Sequence, residues 1–128
     1  MRKRILVADD NEQFRRSLVM LFDQAGYSVE EAENGKHALA RVKTTGGQVD
    51  LLITDLQMPD MDGLQLLTEV KRVDPQLPVL AVSSSFSDRL LGLAATFGVA
   101  TLEKPFTSRT LLSMVECLIA ATCQSARA

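Results

Sequence analysis

The chain has 128 residues, of which 46% are hydrophobic and 23% charged, with a formal net charge of -2 and a pI of about 5.4. That length suits one domain around one core, with a radius of gyration of roughly 14 Å and no need for disulfides or a structural metal in folding. The acidic balance argues against a chain built to neutralise nucleic-acid phosphates, and the apolar stretches are too short for a membrane span or a signal-peptide core.

Arg2-Lys3-Arg4 is a solvated lead-in to the first strand, with a local contact to an acidic partner as the alternative. Ile5-Leu6-Val7-Ala8 is a continuous apolar run, the pattern of a strand buried on both faces. Phe14, Leu18, Leu21, Phe22 and Ala25 then recur at helical intervals, with Asp10 or Asn11 as N-cap and Gly26 as the stop. Ser28 to Glu33 alternates loosely, as a strand near a sheet edge does. Asn34-Gly35 predicts a turn, followed by a helix from about Lys36 to Thr44 that Gly46-Gly47 ends.

The third strand is predicted over Asp50 to Thr54, and the loop DLQMPDMDG follows it. A helix with Leu64, Leu67 and Val70 inward stops before Asp74-Pro75. Pro78 to Val82 is the fourth strand, Ser83-Ser84-Ser85 a loop, and Ser87 to Phe97 a helix closed by Gly98. Leu90, Leu91, Leu93, Ala94, Ala95 and Phe97 give that helix more apolar surface than one buried stripe needs. The excess is either a partner or homodimer face or the overpacking of a marginal helix, which Gly92 weakens by up to about 1 kcal/mol. A short strand near Val99 to Leu102 leads to Lys104-Pro105 and a last helix from about Thr107 to Ala121. Five strands alternating with five helices predict an α/β sandwich with a parallel sheet covered on both faces, as one domain over 1–122 with a polar tail at 123–128. Cys117 and Cys123 fall on nearly opposite helix faces, so both thiols are expected to be reduced and the compartment to be the cytosol.

In such a sheet, ligands sit outside the carboxyl ends of the strands. Asp9 and Asp10 follow the first strand, Asp55 the third, Ser83 the fourth and Lys104 the fifth, so all five should meet at one rim. Two aspartates about 4 Å apart repel by on the order of 4 kcal/mol at an effective dielectric of about 20. Lys104 and one divalent cation together would neutralise the three carboxylates, and an all-oxygen loop site favours Mg²⁺. Without the metal, repulsion should raise at least one carboxyl pKa. A carboxylate beside Mg²⁺ and a lysine can attack phosphorus, and Asp55 stands in the middle, with Ser83 and Lys104 able to meet phosphoryl oxygens.

The pair Asp9-Asp10, the string Asp55-x-x-Met58-Pro59-x-Met61-Asp62-Gly63, the hydroxyl Ser83 and the run Lys104-Pro105-Phe106 together resemble the receiver domain of bacterial two-component response regulators, from Ile5 to about Ile119. The resemblance implies a doubly wound, flavodoxin-like or CheY-like (βα)5 fold with strand order 2-1-3-4-5. It implies that Asp55 accepts a phosphoryl group from a phosphohistidine of a sensor histidine kinase or phosphotransfer protein. Mg²⁺ would be held by Asp10 and Asp55, by the backbone carbonyl of Gln57, and by Asp9 through water. Ser83 and Lys104 would bind the phosphoryl oxygens, and the Lys104-Pro105 bond would be cis.

The resemblance further implies a two-state switch, in which the loop after the fourth strand moves and the surface of the fourth helix, fifth strand and fifth helix changes toward an effector or output domain. The aromatic residue that many members carry three positions before the lysine is here Thr101, a departure that affects the aromatic half of the switch. Ser85 and Gln57 occupy the positions that flank the phosphoryl group and influence its lifetime. Asp62 is expected to cap the following helix and Asp60 to be exposed; the lone His37 is expected to be solvated. Met1 fits a natural start, and the chain is expected to be a stand-alone receiver or the N-terminal part of a longer regulator. Two other readings use the same elements. A Mg²⁺-dependent phosphohydrolase would need a second acid and a substrate cap, leaving here only slow self-hydrolysis. A flavodoxin-like cofactor binder would need a Gly- or Ser-rich phosphate loop where Asp9 and Asp10 stand.

Overall fold

The computed structural model describes residues 2–45, 48–58 and 61–127, and gives the backbone alone at 45, 57–58, 61–62, 64 and 121–127. Gly46-Gly47, Pro59 and Asp60 lie outside the described residues, as do the side chains of Asp62 and Cys123. The elements are β1 (Arg4–Ala8), α1 (Glu12–Gln24), β2 (Ser28–Ala32), α2 (Gly35–Thr45), β3 (Leu51–Asp55), α3 (Gly63–Val73), β4 (Val79–Ser83), α4 (Asp88–Phe97), β5 (Ala100–Glu103) and α5 (Ser108–Arg127). The five strands form one parallel sheet in the order β2-β1-β3-β4-β5, as the resemblance implies.

The central strands need no alternation of polar and apolar residues because both of their faces are covered. Leu6, Ala8, Leu52, Val79 and Ala81 turn to a layer with Ala38 and Val42 of α2, Leu66, Leu67 and Val70 of α3, and Ala94 of α4. Ile5, Val7, Leu51, Ile53, Leu80 and Val82 turn the other way, onto Leu18 and Phe22 of α1 and Leu111, Val115 and Ile119 of α5. Each fully buried leucine or isoleucine contributes about 1.5–3 kcal/mol. The edge strand β2 is only half-buried until Ala32, which explains its loose pattern.

Local chemistry sets the helix ends. Asn11 caps α1, its side chain accepting from the Phe14 N–H, and Ser87 caps α4 in the same way toward Leu90. Gly98 closes α4 in the left-handed region at φ 68°. Asn34 does not make a free turn: its side chain accepts from the His37 N–H at 2.8 Å, and the helix starts at Gly35. The last helix runs six residues further than Ala121, to Arg127, because Gln, Ser, Ala and Arg there are polar or small without breaking a helix.

A two-residue antiparallel ladder, Gln57–Met58 with Met61–Asp62, closes the loop after β3. Gly63 follows it, and a Cβ there would lie 2.7 Å from the Leu56 carbonyl oxygen. Only glycine lets the start of α3 lie against the residue that follows Asp55.

Candidate functional site

All five predicted strand-end residues converge at the carboxyl rim of the sheet. Asp55 ends β3 and is 7% exposed, and the Thr54 hydroxyl donates to its backbone carbonyl at 2.9 Å. Asp9, one residue past β1, is buried, and its Oδ1 accepts the Asn11 N–H at 2.8 Å. Its Oδ2 is buried without a hydrogen-bond partner. Asp10 is exposed beside them. Carboxylate oxygens of Asp9, Asp10 and Asp55 all lie within 4.8 Å of one another.

Lys104 lies across this cluster. Its backbone N–H donates to the Ser83 carbonyl at 2.7 Å, continuing the β4–β5 pairing, and the Lys104-Pro105 bond is cis, as the resemblance implies. Its Nζ donates to Asp55 Oδ2 at 3.3 Å and stands 3.5 Å from Asp9 Oδ2. The same ammonium sits 4.1 Å from the centroid of the Phe14 ring, which meets Phe106 edge-on at 6.1 Å. The buried Ser83 hydroxyl donates to the Ser85 carbonyl at 2.8 Å and accepts the Ser85 N–H at 3.2 Å, so it faces its own loop.

Two buried carboxylates at most 4.8 Å apart repel by roughly 3.5 kcal/mol at an effective dielectric of about 20, and Lys104 offsets part of this. Burial is the main cause that pushes the Asp9 carboxyl above its ordinary range; the Asn11 hydrogen bond and Lys104 pull it back, while Asp55 and Asp10 add to the rise. The sequence predicts a raised carboxyl from repulsion, but here desolvation outweighs it.

The residues fit Mg²⁺. Oxygens bound to one such ion are at most about 4.2 Å apart, so three within 4.8 Å need only a small closure or one bridging water. The buried Oδ2 of Asp9 accepts no hydrogen bond and has the Lys104 ammonium 3.5 Å away, so a cation or its water would satisfy it as an acceptor.

Three contributors escape a reading of the strand ends. Arg15 on α1 donates to the Asp9 backbone carbonyl at 2.8 Å and to Glu31 at 2.9 Å, tying the acid pair to β2. Phe14 and Phe106 flank the lysine. Phe14 stands one helical turn after Asp10, which is a usable sequence signal, but the Arg15 contact depends on the close of the chain across β2. Thr101 pairs with Ala81 in the ladder and is half-buried.

Among the described residues no helix is long and apolar enough to cross a membrane. The family model for the response regulator receiver domain matches residues 5–116. The response regulator receiver protein CpdR of Brucella abortus (strain 2308) is 34% identical over 120 residues, which make up 93% of this chain and 98% of that protein. The sensor kinase CckA of the same organism is 35% identical over 115 residues, 88% of this chain but 12% of the kinase. A crystal structure of a CheY-like response regulator receiver domain protein from Methanospirillum hungatei JF-1 matches with a TM-score of 0.92 at 25% identity, covering 98% of this chain and 99% of that one. This chain therefore spans nearly the whole of one relative and a small part of another, and with its matched span, its sheet order and its acidic rim, it belongs to the response regulator receiver domain family.

Proposed function

We propose that Asp55 is the phosphoacceptor of this receiver domain and that its donor is a phosphohistidine on a sensor histidine kinase or a phosphotransfer protein. One observation carries the reading: Asp55 ends the central strand with Lys104 at 3.3 Å and two further carboxylates within 4.8 Å. A carboxylate oxygen of Asp55 attacks phosphorus, and the new P–O bond forms as the P–N bond to the donor imidazole breaks. The imidazole leaves with the bonding pair and takes a proton from solvent, and Asp55 holds the phosphoryl group as an acyl phosphate.

Mg²⁺, when bound by the Asp10 and Asp55 side chains, the Gln57 carbonyl and Asp9 through water, supplies positive charge to the phosphoryl oxygens. The Lys104 ammonium leaves its shared place between Asp9 and Asp55 for one phosphoryl oxygen. The Ser83 hydroxyl gives up the Ser85 carbonyl and donates to another. Its release moves the loop into α4, and the α4, β5 and α5 surface passes the change to an effector or output domain. Gln57 and Ser85, two positions after Asp55 and Ser83 in the sequence, tune the lifetime of the acyl phosphate. The chain acts as a switch with slow self-dephosphorylation, not as a turnover enzyme. We assign its action to the cytosol, a reading supported by the exposed free thiol of Cys117.

Incubation with acetyl phosphate and Mg²⁺ tests the assignment. The wild-type protein gains the mass of one phosphoryl group, while Asp55→Asn and EDTA-treated protein gain none. A mass gain that survives Asp55→Asn overturns the reading.

A further inference from the structure

The Lys104 ammonium is supported from two chemically different sides. Asp9 and Asp55 hold it by charge, at 3.5 and 3.3 Å. Phe14, in the first turn of α1, holds it by the face of an aromatic ring, with the centroid at 4.1 Å. A cation within about 6 Å of a ring centroid is attracted by the ring quadrupole, more strongly where water is partly excluded. The Lys104 side chain is 24% exposed, so water is largely displaced around it. The ring itself is fixed by Phe106, two residues after the lysine, in an edge contact with an interplanar angle of 70°. One helix turn therefore grips the loop after β5 on both sides of Pro105.

The two supports respond differently to a metal and a phosphoryl group. A divalent cation competes with Lys104 for the carboxylates, and phosphorylation consumes one of them. The ring keeps its attraction through both events.

We propose that Phe14 is a positioning residue for phosphoryl transfer, holding the Lys104 ammonium over the acceptor while Phe106 fixes the ring. The inference rests on the reading of Asp55 as acceptor. A leucine at position 14 would fill similar space but leave the lysine to the carboxylates alone, where it would compete harder with Mg²⁺.

The test replaces Phe14 with mono-, di- and trifluorophenylalanine, which keep the ring's shape while weakening its quadrupole, and adds Phe14→Leu. The phosphorylation rate with acetyl phosphate should fall stepwise along the fluorinated series, by about 3- to 10-fold in total, the span expected of a partly desolvated cation–π contact. Mg²⁺ affinity of the unphosphorylated protein should fall in the same order, and the urea midpoint, which reads the same resting contact, should decline gradually along it. A merely packing role would move the midpoint at Phe14→Leu and leave the fluorinated series flat. A flat series in a protein whose Asp55 gains the phosphoryl mass overturns this inference alone; no mass gain in the wild type overturns the acceptor reading and this inference with it.

Discussion

The two flanks of the acidic rim are built to opposite standards. On the α1 side, Asn11 holds Asp9 Oδ1, Arg15 holds the Asp9 carbonyl and Phe14 faces Lys104. On the α4 side, Ala94 is the one buried residue of the helix, β5 is only half-buried, and a Cβ added at Gly92 would meet nothing within 4 Å. In the proposed switch, the phosphoryl chemistry would stand on the flank tied by hydrogen bonds, and the relay would run into the flank with few buried residues. A switch needs this division: the acceptor geometry must survive both states, while the reporting surface must differ between them.

The contrast can be broken first by comparing leucines. Leu80→Ala, in the fully buried β4 strand, should lose about 3 kcal/mol of unfolding free energy, whereas Leu91→Ala, at a position 42% exposed on α4, should lose less than about 0.5 kcal/mol. Urea titrations at two protein concentrations measure both. A comparable loss at Leu91 would erase the contrast, and a loss that depends on concentration would mark α4 as a homodimer face.

Metal and pH probe the α1 flank. Mg²⁺ at a hundred times its Kd should stabilise the fold by about 2.7 kcal/mol. Without metal, the raised Asp9 carboxyl means that the folded state holds that proton more tightly than the unfolded chain. The Asp9 contribution to stability is thus complete below its ordinary value of 3.8 and is lost as pH rises through the raised value. Asp9→Asn should remove this decline and be the more stable protein at neutral pH in EDTA. Parallel pH profiles for the two proteins would show that Asp9 burial has no such effect.

The smallest effect belongs to the α4 flank. Gly92→Ala should stabilise by up to about 1 kcal/mol, since the added methyl group meets open space and the helix loses a flexible residue. Destabilisation in the same urea assay would mean that α4 is more closely packed than the open space around Gly92 indicates.

Much of this was legible in one dimension. The apolar runs of β1, β3 and β4 marked strands covered on both faces, and the polar residues after them marked the rim. Asn34-Gly35 was misleading because asparagine serves turns and helix caps alike, and the side-chain bond to His37 that decides between them is not a property of the dipeptide. The seat of Lys104 against Phe14 joins residues far apart in sequence, and the Arg15 bridge runs through β2. Only the place of Phe14, one helical turn after Asp10, is written in a local pattern; its contact with Lys104 and the Arg15 bridge are not. Burial of Asp9 likewise depends on what closes over the end of β1, so its dominant effect on that carboxyl could be found only in three dimensions.

The close approach of Gly63 to Leu56 makes the loop after Asp55 a closed link whose two ends touch. Extra residues inserted between them would leave this clasp and Asp55 in place, whereas a single methyl group at Gly63 would pry the link open one residue from Asp55. The loop is therefore tolerant of length and intolerant of bulk at its clasp.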